Sequence, residues 1–245
     1  MKSRFTIKSI LTAIIAGAFL LLSVSCSSSP EVSVTSDTTI PANESASAAG
    51  NETTTGEASE KSESSDPAVS SSRILVVYFS RTGEQYNVGV IDKGNTSIVA
   101  EMIAEKTGAD LFEVLPADDH YPMTYKELTD VAKKEQNDNA RPEYAGSAPD
   151  LSKYDTIFIG APVWWGDWPM IMYTFFENNK DGLSGKTLIP FSTHEGSGLS
   201  GFDKKLASAC PDSTVRDGLA IRGQDCQNNK DNVRAKVDEW VTGLK

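Results

Sequence analysis

Two short stretches rich in hydroxyls and glycine could do chemistry in this chain: Ser80-Arg81-Thr82-Gly83 and, further on, Gly94-Asn95-Thr96-Ser97. The first follows an apolar run, Ile74 to Phe79, and the second opens a segment in which Ile98, Met102 and Ile103 recur at helical spacing. A strand, a tight loop and a helix start in that order make an anion site. Helix N-termini present unpaired N–H groups and the positive end of a dipole. The hydroxyls of Ser80, Thr82 and Thr96 add donors around a phosphate monoester, and no metal is needed. A dinucleotide loop would place G-x-G-x-x-G directly after the strand, and this sequence lacks it. Gly89 and Gly94 have the spacing of a triphosphate-binding loop, but Asn95 stands where its lysine belongs.

A second constellation is Ala161-Pro162-Val163-Trp164-Trp165-Gly166-Asp167-Trp168-Pro169, which holds three of the four Trp residues. Such a cluster is costly to expose unless it covers something, and aromatic faces stack on flat ring ligands. Trp164 and Trp165 are both stacking candidates. Trp168, beside Pro169, is expected to pack internally. Gly166 allows a close approach and a peptide flip. The third constellation, Ser192-Thr193-His194-Glu195-Gly196-Ser197-Gly198-Leu199-Ser200-Gly201, offers hydroxyls and backbone amides. His120 is read as shaping a surface loop, with Met123 and Tyr125 as a lid.

These loops need a scaffold. Apolar runs predict strands at Ile74–Phe79, Asp110–Val114, Thr156–Gly160, Thr187–Phe191 and Thr214–Ala220. Helices are expected at Thr96–Thr107, Tyr125–Asn137, Pro169–Asn178, Ser200–Ala209 and Asp231–Thr242. Five short apolar strands alternating with helices predict an α/β fold, a doubly wound five-stranded parallel sheet. The order typical of that topology is 2-1-3-4-5, with ligands at the carboxyl ends of strands 1 and 3. All three constellations follow strands 1, 3 and 4.

Ser80, Thr82, Gly83, Asn95 and Thr96 resemble the first loop of the flavodoxin family, roughly Ser/Thr-x-Thr-Gly-Asn-Thr. The departure is an insertion, Glu84 to Gly94. That variant, with Pro-x-Trp-Trp-Gly and Thr-His-x-Gly-Ser-Gly, is similar to a flavodoxin-like branch of exported bacterial FMN proteins. The resemblance covers about Ile74 to Leu244. It implies FMN as cofactor, with the phosphate at Ser80, Thr82, Gly83, Asn95 and Thr96. Arg81 belongs to that loop but is expected to point outward. The ring would lie against Pro162, Val163, Trp164, Trp165 and Gly166. The amides of Thr193, His194, Gly196, Ser197 and Gly198 would meet its polar edge. The implied activity is electron transfer with an unidentified redox partner. The alternative is an FMN-dependent NAD(P)H reductase of quinones or other small acceptors. A binding module without redox use is a third reading.

Residues 1–26 read as a bacterial lipoprotein-type signal peptide: Lys2, Arg4 and Lys8, an apolar run from Ile10 to Leu22, then Cys26 as the lipidation candidate. Ser23 stands where such signals usually have Leu, and plain secretion or an uncleaved anchor are the alternatives. Residues 27–72, rich in Ser, Thr and Glu, cannot bury enough surface to fold and read as a disordered tether to a domain at 73–245. Location is thus expected at the cell membrane, outside the cytoplasm, through the lipid anchor only. The tether carries eight Asp/Glu and one Lys, and the leader three Lys/Arg, which leaves the domain at −7 of a total of −11. An acidic domain without a basic stripe argues against nucleic acid. Cys210 and Cys226 remain, and their pairing is left open by the sequence.

Overall fold

The computed structural model describes residues 73–244. The expected signal peptide, Cys26 and the tether lie outside the described residues. In chain order come β1 (Ile74–Tyr78), β2 (Gly83–Gln85), β3 (Gly89–Ile91), α1 (Asn95–Thr107), β4 (Asp110–Glu113) and α2 (Tyr125–Asp138). There follow β5 (Thr156–Pro162), α3 (Met170–Asn178), α4 (Lys180–Leu183), β6 (Thr187–His194) and α5 (Phe202–Ala209). The chain closes with β7 (Thr214–Val215), β8 (Leu219–Arg222), α6 (Gly223–Asn228) and α7 (Lys230–Gly243).

The main sheet runs β4-β1-β5-β6-β7, with β8 also on β6, and every pair is parallel. This is the 2-1-3-4-5 order, with the fifth strand in two pieces. Pro190 explains the break. Arg216 N–H bonds Leu188 C=O at 2.9 Å, so even-numbered residues of β6 face the fifth strand. Pro190 therefore faces it too, and it has no N–H to give. Gly218 sits opposite, where a Cβ would lie 2.6 Å from the Pro190 oxygen.

Alternation along β1 sorts the core into two layers. Leu75, Val77 and Phe79 pack with Leu128, Ile171, Phe175 and Leu206, under α2, α3 and α5. Val76 and Tyr78 pack with Ile98, Ile103, Val233 and Val237, under α1 and α7. Cys210 belongs to the first layer and Cys226 to the second, and both thiols are free. Among the described residues no helix is long and apolar enough to cross a membrane.

Two features extend the expected pattern. Strands β5 and β6 run on to Pro162 and His194, so Pro162, Thr193 and His194 sit on strand ends, with Pro162 opposite Thr193. The insertion after Gly83 folds into an antiparallel hairpin, β2–β3, in which Asn87 turns the chain at φ +58°. The hairpin is fastened to the start of α2. Glu84 N–H bonds Met123 C=O at 2.8 Å, and Tyr125 N–H donates to Glu84 Oε2 at 2.8 Å. A carboxylate at a helix N-terminus is favourably placed against its dipole.

Candidate functional site

At the first helix start, Gly94 holds the N-cap position and has no side chain to cap with. Ser80 does that work from across the loop, its Oγ accepting from Ser97 N–H at 3.0 Å. The fit is close enough that a Cβ on Gly94 would run into Ser80 Oγ. No acidic residue occupies the first turn of α1. The amides of Asn95 and Thr96 have no acceptor among the described residues. Thr96, only 1% exposed, sets its Oγ1 2.8 Å from that of Thr193. One hydroxyl proton is spent between the two, which leaves the other for a further acceptor. Asn95 Oδ1 accepts from Gln227 Nε2 at 2.8 Å, tying α6 to α1.

One residue of this loop departs from the sequence expectation. Arg81 does not point outward: its side chain is 9% exposed and grips Asp119 through Nη1 at 2.7–2.8 Å and Tyr121 C=O through Nη2 at 2.8 Å. It fastens β1 to the segment before α2. Thr82 is exposed, and its carbonyl accepts from Gln85 Nε2. Gly83 starts the hairpin at φ +85°, and a Cβ there would meet Met123 O at 2.7 Å.

The Trp loop is a two-residue reverse turn. Trp164 and Asp167 exchange both backbone hydrogen bonds at 2.9 Å, with Trp165 at φ +50° and Gly166 at φ +74° between them. Glycine takes that conformation freely, whereas for Trp it costs roughly 1–2 kcal/mol. The surroundings hold it. Trp165 Nε1–H donates to Thr129 C=O at 2.9 Å, Gln136 Nε2 donates to Trp165 C=O at 3.3 Å, and the Lys133 ammonium lies 5.1 Å from the ring centroid. From the other side Lys205 donates to Gly166 C=O and pairs with Asp167 at 3.2 Å. The indole of Trp165 remains 53% exposed. Trp164 presents an edge contact to Phe79 at 5.4 Å and to Tyr121 at 5.2 Å. Trp168 is 1% exposed and stacked on Phe202 at 3.7 Å, which makes it core.

After β6, His194 Nδ1 accepts from Gly196 N–H at 2.8 Å, so the neutral ring carries its proton on Nε2. Burial is the main cause that pushes this imidazole below its ordinary range. Ser192 Oγ–H donates to Gly198 C=O at 3.0 Å and shapes the loop. Gly196 and Gly198 both have positive φ.

Between these parts lies a cleft of about 280 Å³. Of the sequence candidates, Asn95, Pro162, Val163, Trp164, Trp165, Thr193, His194 and Ser197 line it. Ser80 and Thr96 do not line it, though Thr96 bonds the lining residue Thr193. Arg81, Thr82, Gly83, Gly166, Gly196 and Gly198 shape the loops without lining it. Of the two lid candidates Tyr125 lines the cleft and Met123 does not, and the sequence reading missed the rest of that wall. Tyr86 and Val88 of the hairpin and Leu128, Thr129 and Ala132 of α2 line the cleft. Tyr86 stacks on Tyr125 at 5.5 Å and 28°. The hairpin signal was present in Gln85-Tyr86-Asn87-Val88-Gly89, where Asn and Gly punctuate a short β-prone run. Glu195 and Gly223 also line the cleft.

A family model described as Flavodoxin matches residues 73–242. Two Bacteroides structures provisionally described as flavoproteins are similar. The B. eggerthii protein is 30% identical, over 68% of this chain and 96% of that one, at a TM-score of 0.53. The B. uniformis protein is 28% identical, over 70% and 98%, at 0.55. A Lactobacillus acidophilus flavoprotein solved in complex with FMN is 23% identical, over 65% and 97%, at 0.50, a likeness of fold. No curated protein compared with the chain matches it. The match over residues 73–242, on a parallel sheet in 2-1-3-4-5 order, means that this chain belongs to the flavodoxin family.

Proposed function

We propose that this protein binds FMN noncovalently and carries electrons outside the cytoplasmic membrane, tethered by a lipid on Cys26. One observation carries the reading. A helix start with two amides lacking an acceptor among the described residues and a cleft walled by aromatic rings lie together at the carboxyl ends of β1, β5 and β6. An FMN molecule matches both parts: a monophosphate for the first, a flat apolar ring for the second. The amides of Asn95 and Thr96 and the Thr96–Thr193 hydroxyl pair would hold the phosphate. Each charge-assisted hydrogen bond to it contributes about 1.5–3 kcal/mol. Trp165, Trp164 and the Tyr86–Tyr125 stack would shield the ring. His194 Nε2–H and the amides of Ser197 and Gly198 would donate to its polar edge; the Gly196 amide, expected there from the sequence, is instead given to His194 Nδ1. Bound FMN supplies reversible one- and two-electron transfer; the chain's residues bind it, orient it and exclude water. The basic leader, its apolar run and Cys26 support export and tethering.

The test is the visible spectrum of the purified protein. Flavin absorption is expected, with FMN rather than FAD released on denaturation. A colourless protein that takes up no added FMN would refute the reading. A redox titration with two separated one-electron steps supports carriage, whereas fast NAD(P)H oxidation favours the reductase alternative. Fatty-acid labelling that persists in Cys26→Ser would remove the anchor from the proposal.

A further inference from the structure

Three aromatic rings and a carboxylate form a chain from the cleft to the surface. Trp164 lines the cleft. Its ring meets that of Tyr121 at 5.2 Å, edge to face, and Tyr121 is 4% exposed. Tyr121 O–H donates to Glu135 Oε2 at 3.1 Å. The other oxygen of that buried carboxylate lies 2.9 Å from His120 Nε2. The His120 ring sits 4.5 Å from the Tyr121 ring, and its side chain is 43% exposed. Tyr121, Glu135 and His120 do not line the cleft, so binding a ligand there does not call for them.

Indole and phenol are among the side chains most easily oxidised by one electron. A phenol yields its electron readily only when its proton leaves too, because the phenol radical cation is a strong acid. Two neighbours impose that coupling here. The Arg81 guanidinium lies 5.5 Å from the Tyr121 ring centroid and opposes positive charge on the ring. Glu135 Oε2 already holds the phenol proton and can take it. Burial raises the Tyr121 pKa, so the resting phenol is protonated. We propose that Tyr121 is a one-electron donor to oxidised Trp164. An oxidant in the cleft, photoexcited flavin or an inorganic radical, takes one electron from Trp164. Trp164 recovers it from Tyr121, whose O–H bond breaks as the proton passes to Glu135 Oε2. The products are the oxidant reduced by one electron, neutral indole, a neutral tyrosyl radical and protonated Glu135. Oxidation thus moves off the cleft wall to a phenol beside the half-exposed His120. With flavin as oxidant the relay rests on the FMN reading above; with an inorganic radical it does not.

The test uses the full chain, wild type, Tyr121→Phe and Glu135→Gln, with folding read from near-ultraviolet circular dichroism. Azidyl radicals from pulse radiolysis oxidise indole in the ligand-free chain, and transient absorption follows the indole and tyrosyl radicals. In wild type a tyrosyl radical should grow in as the indole radical decays, at a rate independent of protein concentration. In Tyr121→Phe and Glu135→Gln the indole radical should last about tenfold or more longer. Transfer in wild type should slow in D₂O, a comparison that stands even if the variants do not fold. The same kinetics are expected after a flash on the FMN-loaded chain, with a cobalt(III) ammine present to carry off the flavin's electron. Unchanged transfer in folded Tyr121→Phe or Glu135→Gln, or equal rates in D₂O and H₂O, would overturn the relay. No transfer with azidyl radicals would overturn it too and leave the FMN reading intact. Transfer with azidyl radicals but not after a flash would remove flavin as the oxidant. A chain that shows transfer and takes up no flavin would overturn the FMN reading alone.

Discussion

Trp165 combines a backbone conformation that disfavours a side chain with an indole left half in solvent. Its indole bond to Thr129 and its contact with Lys133 hold the ring at the cleft wall rather than in the core. Trp165→Gly should therefore leave the melting temperature within a few degrees of wild type. Relief of the positive φ offsets the lost contacts, each an effect of about 1 kcal/mol. The same change should weaken FMN by about 1–3 kcal/mol and restore part of its fluorescence, because the quenching ring is gone. Trp168→Ala should do the reverse. It removes a buried ring stacked on Phe202 and should cost about 3–5 kcal/mol of stability, read by denaturant unfolding. If Trp164→Ala and not Trp165→Gly restores the fluorescence, the ring lies against the neighbouring indole.

At the scale of elements, the site depends on how α2 is docked. Arg81, in the loop after β1, holds Asp119 and Tyr121, Glu84 caps the helix, and a buried carboxylate on α2 finishes the joint. That carboxylate, Glu135, meets His120 Nε2 at 2.9 Å and accepts from Tyr121 O–H at 3.1 Å. His120 Nδ1 lies 2.9 Å from Asp118 C=O, so both ring nitrogens face acceptors and the imidazolium satisfies both. The hydrogen bond to Glu135 is the main cause that raises the His120 pKa, with burial opposing it. A folded value above the unfolded one gives stability that is fully present below the unfolded pKa of about 6.5 and lost as pH rises through the folded value. The groups facing the ring are Glu135, Tyr121 and Asp118, and Asp119 beside them is held by Arg81. Against His120→Gln, wild type should show a higher melting temperature near pH 5.5, and the gap should narrow as pH rises above the unfolded value of about 6.5. A gap that widens with pH would contradict this joint.

For the whole molecule, the two-layer core decides the fate of the cysteines. Burial raises the Cys210 thiol to about 11, and burial, with Asp225 and Glu195 adding to it, raises Cys226 to about 12. The sheet lies between them, and thiolate is the reactive form. Neither should react with a disulfide reagent at about pH 8 in the folded state, and both should react after denaturation. Rapid modification of the native protein would mean that one core layer opens locally.

The sequence by itself determined the alternation of apolar runs and helical segments, because burial on both faces of a parallel sheet demands it. It also determined that hydroxyl-, glycine- and tryptophan-rich loops follow strands 1, 3 and 4. It showed the break after Val215 only indirectly. Pro190 and Gly218 are legible as residues, but their opposition across two strands exists only in the assembled sheet. The hairpin wall was not read from the sequence, because Tyr86 gains its meaning from stacking on Tyr125, far along the chain. Arg81 was read as outward because its partners, Asp119 and Tyr121, are distant in sequence. Trp164 and Trp165 could not be told apart until a turn with two positive φ values sent one indole towards Phe79 and the other to the wall of α2. Local pattern records which residues must be buried and which can bind. Partners and orientation come from long-range packing, which no local pattern contains.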